Sequence, residues 1–125
     1  MHKTFTISGT LPGLNEYINA ERRNKYAAAK LKKNAETVVS YSVKRLGKWR
    51  VNKPVYMIYH WYEPNRRRDM DNISSFGRKV IQDALVRAGV LENDGWAQIE
   101  GFKDCFYVDR KNPRIVVELV EEEND

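Results

Sequence analysis

The stretch Ile73-Ser74-Ser75-Phe76-Gly77-Arg78-Lys79-Val80-Ile81-Gln82-Asp83-Ala84-Leu85-Val86-Arg87-Ala88-Gly89-Val90 decides the fold. Ile73, Phe76, Val80, Ile81, Ala84, Leu85 and Ala88 recur at the spacing of one helical face, and Gly89 stands where a left-handed C-cap is expected, with apolar Val90 after it. Strands flank this helix. Upstream, Val55 to Tyr62 follows Pro54 and is rich in the aromatic and β-branched residues that strands favour. Downstream, the turn Glu92-Asn93-Asp94-Gly95 leads into two strands, about Gln98 to Val108 and Arg114 to Val120, joined through Asp109-Arg110-Lys111-Asn112-Pro113.

Further out, Thr4 to Ser8 alternates, with Phe5 and Ile7 on one side, and is closed by Gly9-Thr10-Leu11-Pro12-Gly13. From about Arg22 to Leu46 the period becomes helical. Leu31, Ala35, Val38, Val39, Ser42 and Leu46 share a face, and Lys30, Lys32, Lys33, Lys44 and Arg45 lie elsewhere around it, until Gly47 ends the run. The order is β-α-β-α-β-β, which predicts an α+β domain with two helices packed on one face of a small mixed sheet. Residues 1–120 form the domain and residues 121–125 an acidic C-terminal tail.

At 125 residues the chain suffices for one core without staples. Its 42% hydrophobic and 31% charged residues predict a soluble protein, and no apolar run approaches the ~18 to 20 residues of a membrane span. Met1 to Ser8 alternates where a signal peptide would be continuously apolar. The one cysteine, Cys105, can form no internal disulfide and has no Cys or His neighbour at zinc spacing, so a cytoplasmic setting is expected. The net charge of +5 is unevenly spread: residues 1–68 hold 15 Lys and Arg against four acids, a balance of +11, leaving −6 for the rest. The basic half reads as a surface for a polyanion, nucleic acid above all; an ordinary lysine-rich surface is the blander alternative.

Directly ahead of the decisive helix stands Arg66-Arg67-Arg68-Asp69-Met70-Asp71-Asn72. Arginines grip phosphates, and two acids one residue apart point the same way from extended backbone, a donor pair that suits Mg²⁺. Together they point to a metal-dependent nuclease. The alternative is that Asp71 or Asn72 caps the helix while Asp69 pairs with the arginines. Asp94 lies 23 residues beyond Asp71 with the helix between, and a helix of that size spans roughly 25 Å, so spacing alone does not bring it to the pair within one subunit. Asn93-Asp94-Gly95 is also a strong turn signature. Lys79 and Asp83, four residues apart, read either as a surface salt bridge or as a setting that projects Lys79 beside the aspartates to stabilise charge on a scissile phosphate. No Gly-rich phosphate loop is present, and His2 and His60 are far apart and near no candidate nucleophile. In Tyr59-His60-Trp61-Tyr62 the histidine reads as a packed or edge residue, and the aromatics as core ahead of a base-stacking platform.

Arg66 to Ile73, Lys79-Val80-Ile81-Gln82-Asp83-Ala84-Leu85, Ala88-Gly89-Val90-Leu91 and Asn93-Asp94 together resemble the RusA family of Holliday-junction resolvases, small endodeoxyribonucleases of bacteria and their prophages. The resemblance runs at motif level from about residue 63 to 108, and Leu11-Pro12-Gly13-Leu14-Asn15-Glu16-Tyr17 is similar to the family's Pro-containing, Asn-Tyr loop after its first strand. It implies a homodimer that cuts four-way junctions with Mg²⁺ held by an Asp-x-Asp pair and a third aspartate, aided by a lysine. Carried onto this chain, the ligands are Asp69, Asp71 and Asp94, and the catalytic lysine is Lys79. In the family the lysine follows the second aspartate by one helical turn, where this chain has Ser75; Lys79 matches with one further turn inserted, and Arg78 and Lys103 are the other cations that could take the role. The expectation is a Mg²⁺-dependent endodeoxyribonuclease that resolves Holliday junctions by paired symmetric nicks, in DNA recombination and repair. Arg66, Arg67 and Arg68 would clamp phosphates, and Lys30, Lys32, Lys33, Lys44 and Arg45 would extend the basic footprint. The rival readings are a non-catalytic basic DNA-binding protein and a related nuclease for flaps or forks.

Overall fold

The computed structural model describes residues 1–121. The elements run β1 (His2–Ser8), α1 (Leu14–Arg23), α2 (Lys25–Lys44), β2 (Val55–Glu63), α3 (Met70–Arg87), β3 (Ile99–Val108) and β4 (Arg114–Glu121). The strands form one mixed sheet in the order β1-β4-β2-β3, with β4 antiparallel to both β1 and β2, and β3 parallel to β2. A parallel pair needs a crossover, and α3 supplies it. The α+β class and the mixed sheet agree with the sequence reading. Glu121, assigned there to the tail, is the last residue of β4; the rest of that tail lies outside the described residues.

Alternation decides what each face of the sheet becomes. Val55, Met57, Tyr59 and Trp61 of β2 point inward with Ile115, Val117 and Leu119 of β4 and Phe5 and Ile7 of β1. Over them pack Ala35, Val39 and Val43 of α2 and Ile73, Phe76, Val80, Ile81, Ala84 and Leu85 of α3. Each large apolar side chain buried in this layer stabilises the fold by about 1.5–3 kcal/mol. Among the described residues, the opposite face of the sheet carries no helix. Gly77 sets how close α3 approaches β2: a Cβ there would lie 2.7 Å from the Trp61 ring, so any larger residue pushes the helix off the sheet. At the far end of α3, Gly89 has φ +78°, and Gly89 and Val90 donate their N–H groups to the Val86 and Leu85 carbonyls at 3.0 Å each, the paired bonds of a Schellman cap.

Three helices pack on this face where the sequence predicts two. The chain expected to loop until Arg22 is helical from Leu14, and the single long helix is broken at Asn24, whose backbone is extended. Asn24 serves both ends: its N–H bonds to the Ala20 carbonyl, and its Oδ1 accepts the Ala27 N–H at 2.8 Å. The buried stripe of α2 is Ala28, Ala35, Val39 and Val43, so Val38 and Leu46, expected on the apolar face, are exposed. A stripe of i, i+4 steps leaves Val38 one position off the seam, and Leu46 falls beyond the end of the helix. Ion pairs tie α2 to α3: Lys32 to Asp83 at 3.0 Å, and buried Glu36 to Arg87 at 2.8 Å. Among the described residues, no helix is long and apolar enough to cross a membrane.

Candidate functional site

The N-terminus of α3 carries the aspartate pair. Asp69 is the N-cap residue, with φ −67° and ψ 152°, and Asp71 stands in the first helical turn, so the pair is not set on extended backbone as the alternation argument assumed. Neither carboxylate behaves as the structural reading expected. Asp69 makes no side-chain cap bond, and among the described residues neither Asp69 nor Asp71 forms an ion pair with an arginine. Asn72 caps a different helix: its Oδ1 accepts the Asn15 N–H at 2.8 Å, satisfying a donor in the first turn of α1, and a Cβ on Gly13 would meet its side chain at 2.7 Å. The start of α3 is thereby pinned while its two carboxylates stay exposed and available to a ligand.

The three arginines divide. Arg68, expected to clamp phosphate, is committed to the protein: its Nε and Nη2 grip both oxygens of buried Glu63 at 2.9–3.0 Å, and its Nη1 donates to the Leu11 carbonyl at 3.0 Å. The cause is Glu63 itself, the last inward position of β2, a buried carboxylate whose desolvation is costly without a hydrogen-bonding cation beside it. Arg66 and Arg67 are exposed, and among the described residues neither forms an ion pair. Arg66→Ala and Arg67→Ala are therefore expected to leave the thermal midpoint unchanged and each to lower the slope of log K against log salt for DNA by about 0.9, as a lost phosphate contact does. Titrations over a series of salt concentrations read this, and an unchanged slope would remove both residues from the interface.

Lys79 and Asp94 come together, but away from the pair. Lys79 Nζ lies 3.1 Å from Asp83 and 3.2 Å from Asp94, so both the expected helical salt bridge and an unexpected tie to the turn are present. These bonds to Asp83, then Asp94, raise the lysine's pKa above its usual value and keep it charged. Burial works against charge on Asp83, yet Lys32 and Lys79 together hold its pKa below the ordinary range. Lys32 is thus part of an ion-pair chain with Asp83, Lys79 and Asp94, and not an unattached footprint residue. Asp71 and Lys79 are two turns apart, ~12 Å along the axis of α3. Among the described residues no three His, Cys, Asp or Glu side chains group to hold a metal ion, and Asp94 is engaged by Lys79. Asp69 and Asp71 alone match Mg²⁺, which takes one or two carboxylates and fills its remaining positions with water and phosphate.

The alternative cations are placed elsewhere. Arg78 is paired with Asp104 and lies over the Phe102 ring, while Lys103 is on the sheet face away from α3. Lys30, Lys33 and Lys44 share an exposed stripe of α2 with Tyr26 and Tyr41, a basic surface interleaved with aromatics.

The reading of these aromatics as core holds for Tyr59 and Trp61, whereas Tyr62 stands on the uncovered face, as alternation along β2 requires. There its ring stacks on Tyr107 with centroids 4.4 Å apart, and the Arg114 guanidinium lies 3.8 Å above its other side. His60 shares this face, accepting or donating at Nδ1 with the Tyr107 hydroxyl, 2.9 Å away, and bonding to Glu118 through Nε2. The bond from His60, and a second from His2, hold Glu118 below its ordinary pKa against the opposing effect of burial. A groove of about 690 Å³ runs between the start of α3 and the end of β3, lined by Arg66, Asp69, Met70, Ile73, Phe106 and Tyr107 among others. It brings Asp69 and Arg66 to a common space. No family model matches the chain, and no curated protein matches it.

Proposed function

We propose that this protein is a divalent-metal-dependent endodeoxyribonuclease acting on branched DNA, with the four-way Holliday junction as its substrate and a homodimer as its working form. The observation that carries the reading is the pair of carboxylates at the start of α3, engaged among the described residues neither in side-chain capping nor in ion pairs, beside exposed Arg66 and Arg67. The resemblance of Arg66 to Asp94 to the RusA family supports the choice of substrate, and the basic stripe of α2 supports a polyanionic one.

Asp69 and Asp71 would hold Mg²⁺. When bound, the ion would supply Lewis-acid polarisation of a phosphoryl oxygen and orient a water for attack. The chain's own part is positioning. Asn72 and the Gly13 contact fix the start of α3, so the carboxylates present one geometry, and Arg66 and Arg67 hold flanking phosphates. A four-way junction offers two equivalent strands, and each chain carries one aspartate pair; a two-fold dimer sets two sites on two symmetric phosphates. Asp94 reaches such a pair from a second copy, or by leaving Lys79.

The test incubates labelled four-way junction, flap and linear duplex with the protein, with Mg²⁺ or with a chelator, and sizes the protein by sedimentation free and on DNA. Paired nicks symmetric about the branch point, abolished by the chelator, from a dimeric protein are expected. Metal-independent binding without cutting would establish the non-catalytic alternative, and single nicks from a monomer would make the substrate a flap.

A further inference from the structure

We propose that the cavity at the C-terminal ends of α2 and α3 binds a nucleotide, with its phosphate on Lys44, Lys48 and Arg50 and its base and sugar against Val43, Trp49 and Val90. The site is separate from the aspartate pair and does not depend on the nuclease reading.

The ion pairs Lys32–Asp83 and Glu36–Arg87 step together along both helices, so α2 and α3 run side by side in the same direction. Asp69 stands at the start of that layer and the cavity at its end, about 27 Å away along the 18 residues of α3. The cavity holds about 720 Å³, within the usual range of small-molecule sites. Lys44, Lys48 and Arg50 line it, and among the described residues no Asp or Glu does. All three cations are exposed, and among the described residues none forms an ion pair. A helix C-terminus attracts cations on its own account, with roughly half a negative charge at each end. Two such ends balance about one of the three cations and leave about two, the charge of a phosphate monoester. The terminal carbonyls do not need these side chains as donors: the N–H groups of Arg45, Leu46 and Gly47 bond to Tyr41, Val43 and Lys44, and those of Gly89 and Val90 to Val86 and Leu85.

The remaining lining is apolar. Val43 and Val90 are each 2% exposed, and the Trp49 ring is held by Phe5, with centroids 6.4 Å apart, and by the Lys3 ammonium at 5.8 Å. Trp49 Nε1–H is buried and, among the described residues, has no hydrogen-bond partner. A buried donor without an acceptor is uncommon in a folded protein, and a ligand oxygen is one way to complete it. Inorganic phosphate would leave the apolar lining bare, and an apolar ligand would leave three cations unanswered. A nucleotide supplies the anion, the apolar body and neutral acceptors in one molecule.

The test is calorimetry on the whole chain, in chelator, with thymidine monophosphate, thymidine and inorganic phosphate as probes. Thymidine monophosphate is expected to bind at least about tenfold more tightly than either of the others, since charged hydrogen bonds add to the apolar contact. Lys44→Gln, Lys48→Gln and Arg50→Gln together should reduce it to the affinity of thymidine with the thermal midpoint unchanged. At saturation the Trp49 indole N–H resonance, assigned by its loss in Trp49→Phe, should shift. Equal affinity for the three probes, no binding of thymidine monophosphate, a triple variant that binds as wild type, or an unmoved Trp49 resonance overturns the inference. Competition by an oligo-thymidylate makes a DNA strand the source of the nucleotide, and binding without such competition makes it the free nucleotide.

Discussion

Asp69→Asn and Asp71→Asn are each expected to lower single-turnover cleavage of a four-way junction by roughly three orders of magnitude, while the affinity for that junction holds or rises. A metal ligand contributes several kcal/mol of transition-state stabilisation, and about 1.4 kcal/mol is a factor of ten in rate. Binding moves the other way because each substitution removes a negative charge facing phosphate. Among the described residues neither carboxylate supports the fold through a cap bond or ion pair, so both variants should melt with wild type. Cleavage and stability falling in step would return the acids to a structural role. Electrophoretic binding, single-turnover rates and thermal melts on one preparation separate the outcomes.

Arg68→Ala is expected to cost ~3–5 kcal/mol of stability, because it strands a buried carboxylate without its cation. Glu63 is 6% exposed and takes three guanidinium hydrogen bonds from Arg68. A domain of this size has only about 5–15 kcal/mol in hand, so the variant should unfold at much lower denaturant. Arg68→Lys recovers little, since an ammonium cannot reproduce the two-pronged grip or reach Leu11 at the same time. Glu63→Leu with Arg68→Met should recover most of the loss, because no buried charge is left unpaired. A denaturation curve for Arg68→Ala that overlays wild type, with DNA affinity reduced, would make it the phosphate clamp that its position beside Arg66 and Arg67 suggests.

Where one physical signal dominates, the sequence is readable. The apolar positions of α3 and the Gly89-Val90 cap are local, and both form as their spacing requires. Alternation along β2 likewise reads through to the inward Val55, Met57, Tyr59 and Trp61. Carried two residues further, it contains the signal that Arg68 is structural, since Glu63 falls inward and a buried acid needs a cation; the same alternation turns Tyr62 outward, to the aromatic row. What was illegible depends on contacts between distant segments. Asn24 is an ordinary helix-surface residue by composition, and only its use as a cap divides α1 from α2. Asn72 next to two aspartates looks like a local cap, yet its acceptor serves Asn15, a residue on another helix. Lys79 and Asp94 are separated by the end of α3 and a turn, and no spacing rule announces that they meet. The metal-binding reading of Asp69 and Asp71 came from residue type and neighbourhood, while their freedom from competing bonds is visible only in three dimensions.

The strand order β1-β4-β2-β3 carries a consequence for how the chain is made. β4 follows every other strand in the chain, yet it lies between β1 and β2 and supplies hydrogen-bond partners to both. As the polypeptide leaves the ribosome, β1 therefore waits unpaired while the whole stretch up to Arg114 is translated, some seconds at ~5–20 residues per second. The β2-α3-β3 unit can associate in that interval, but with one side of β2 open and its inward aromatics half covered. Completion is then a single insertion event that zips β4 against two waiting neighbours and closes the longest loop in the molecule. A nascent chain stalled before that point exposes two adhesive strand borders, and is the form on which a chaperone would act.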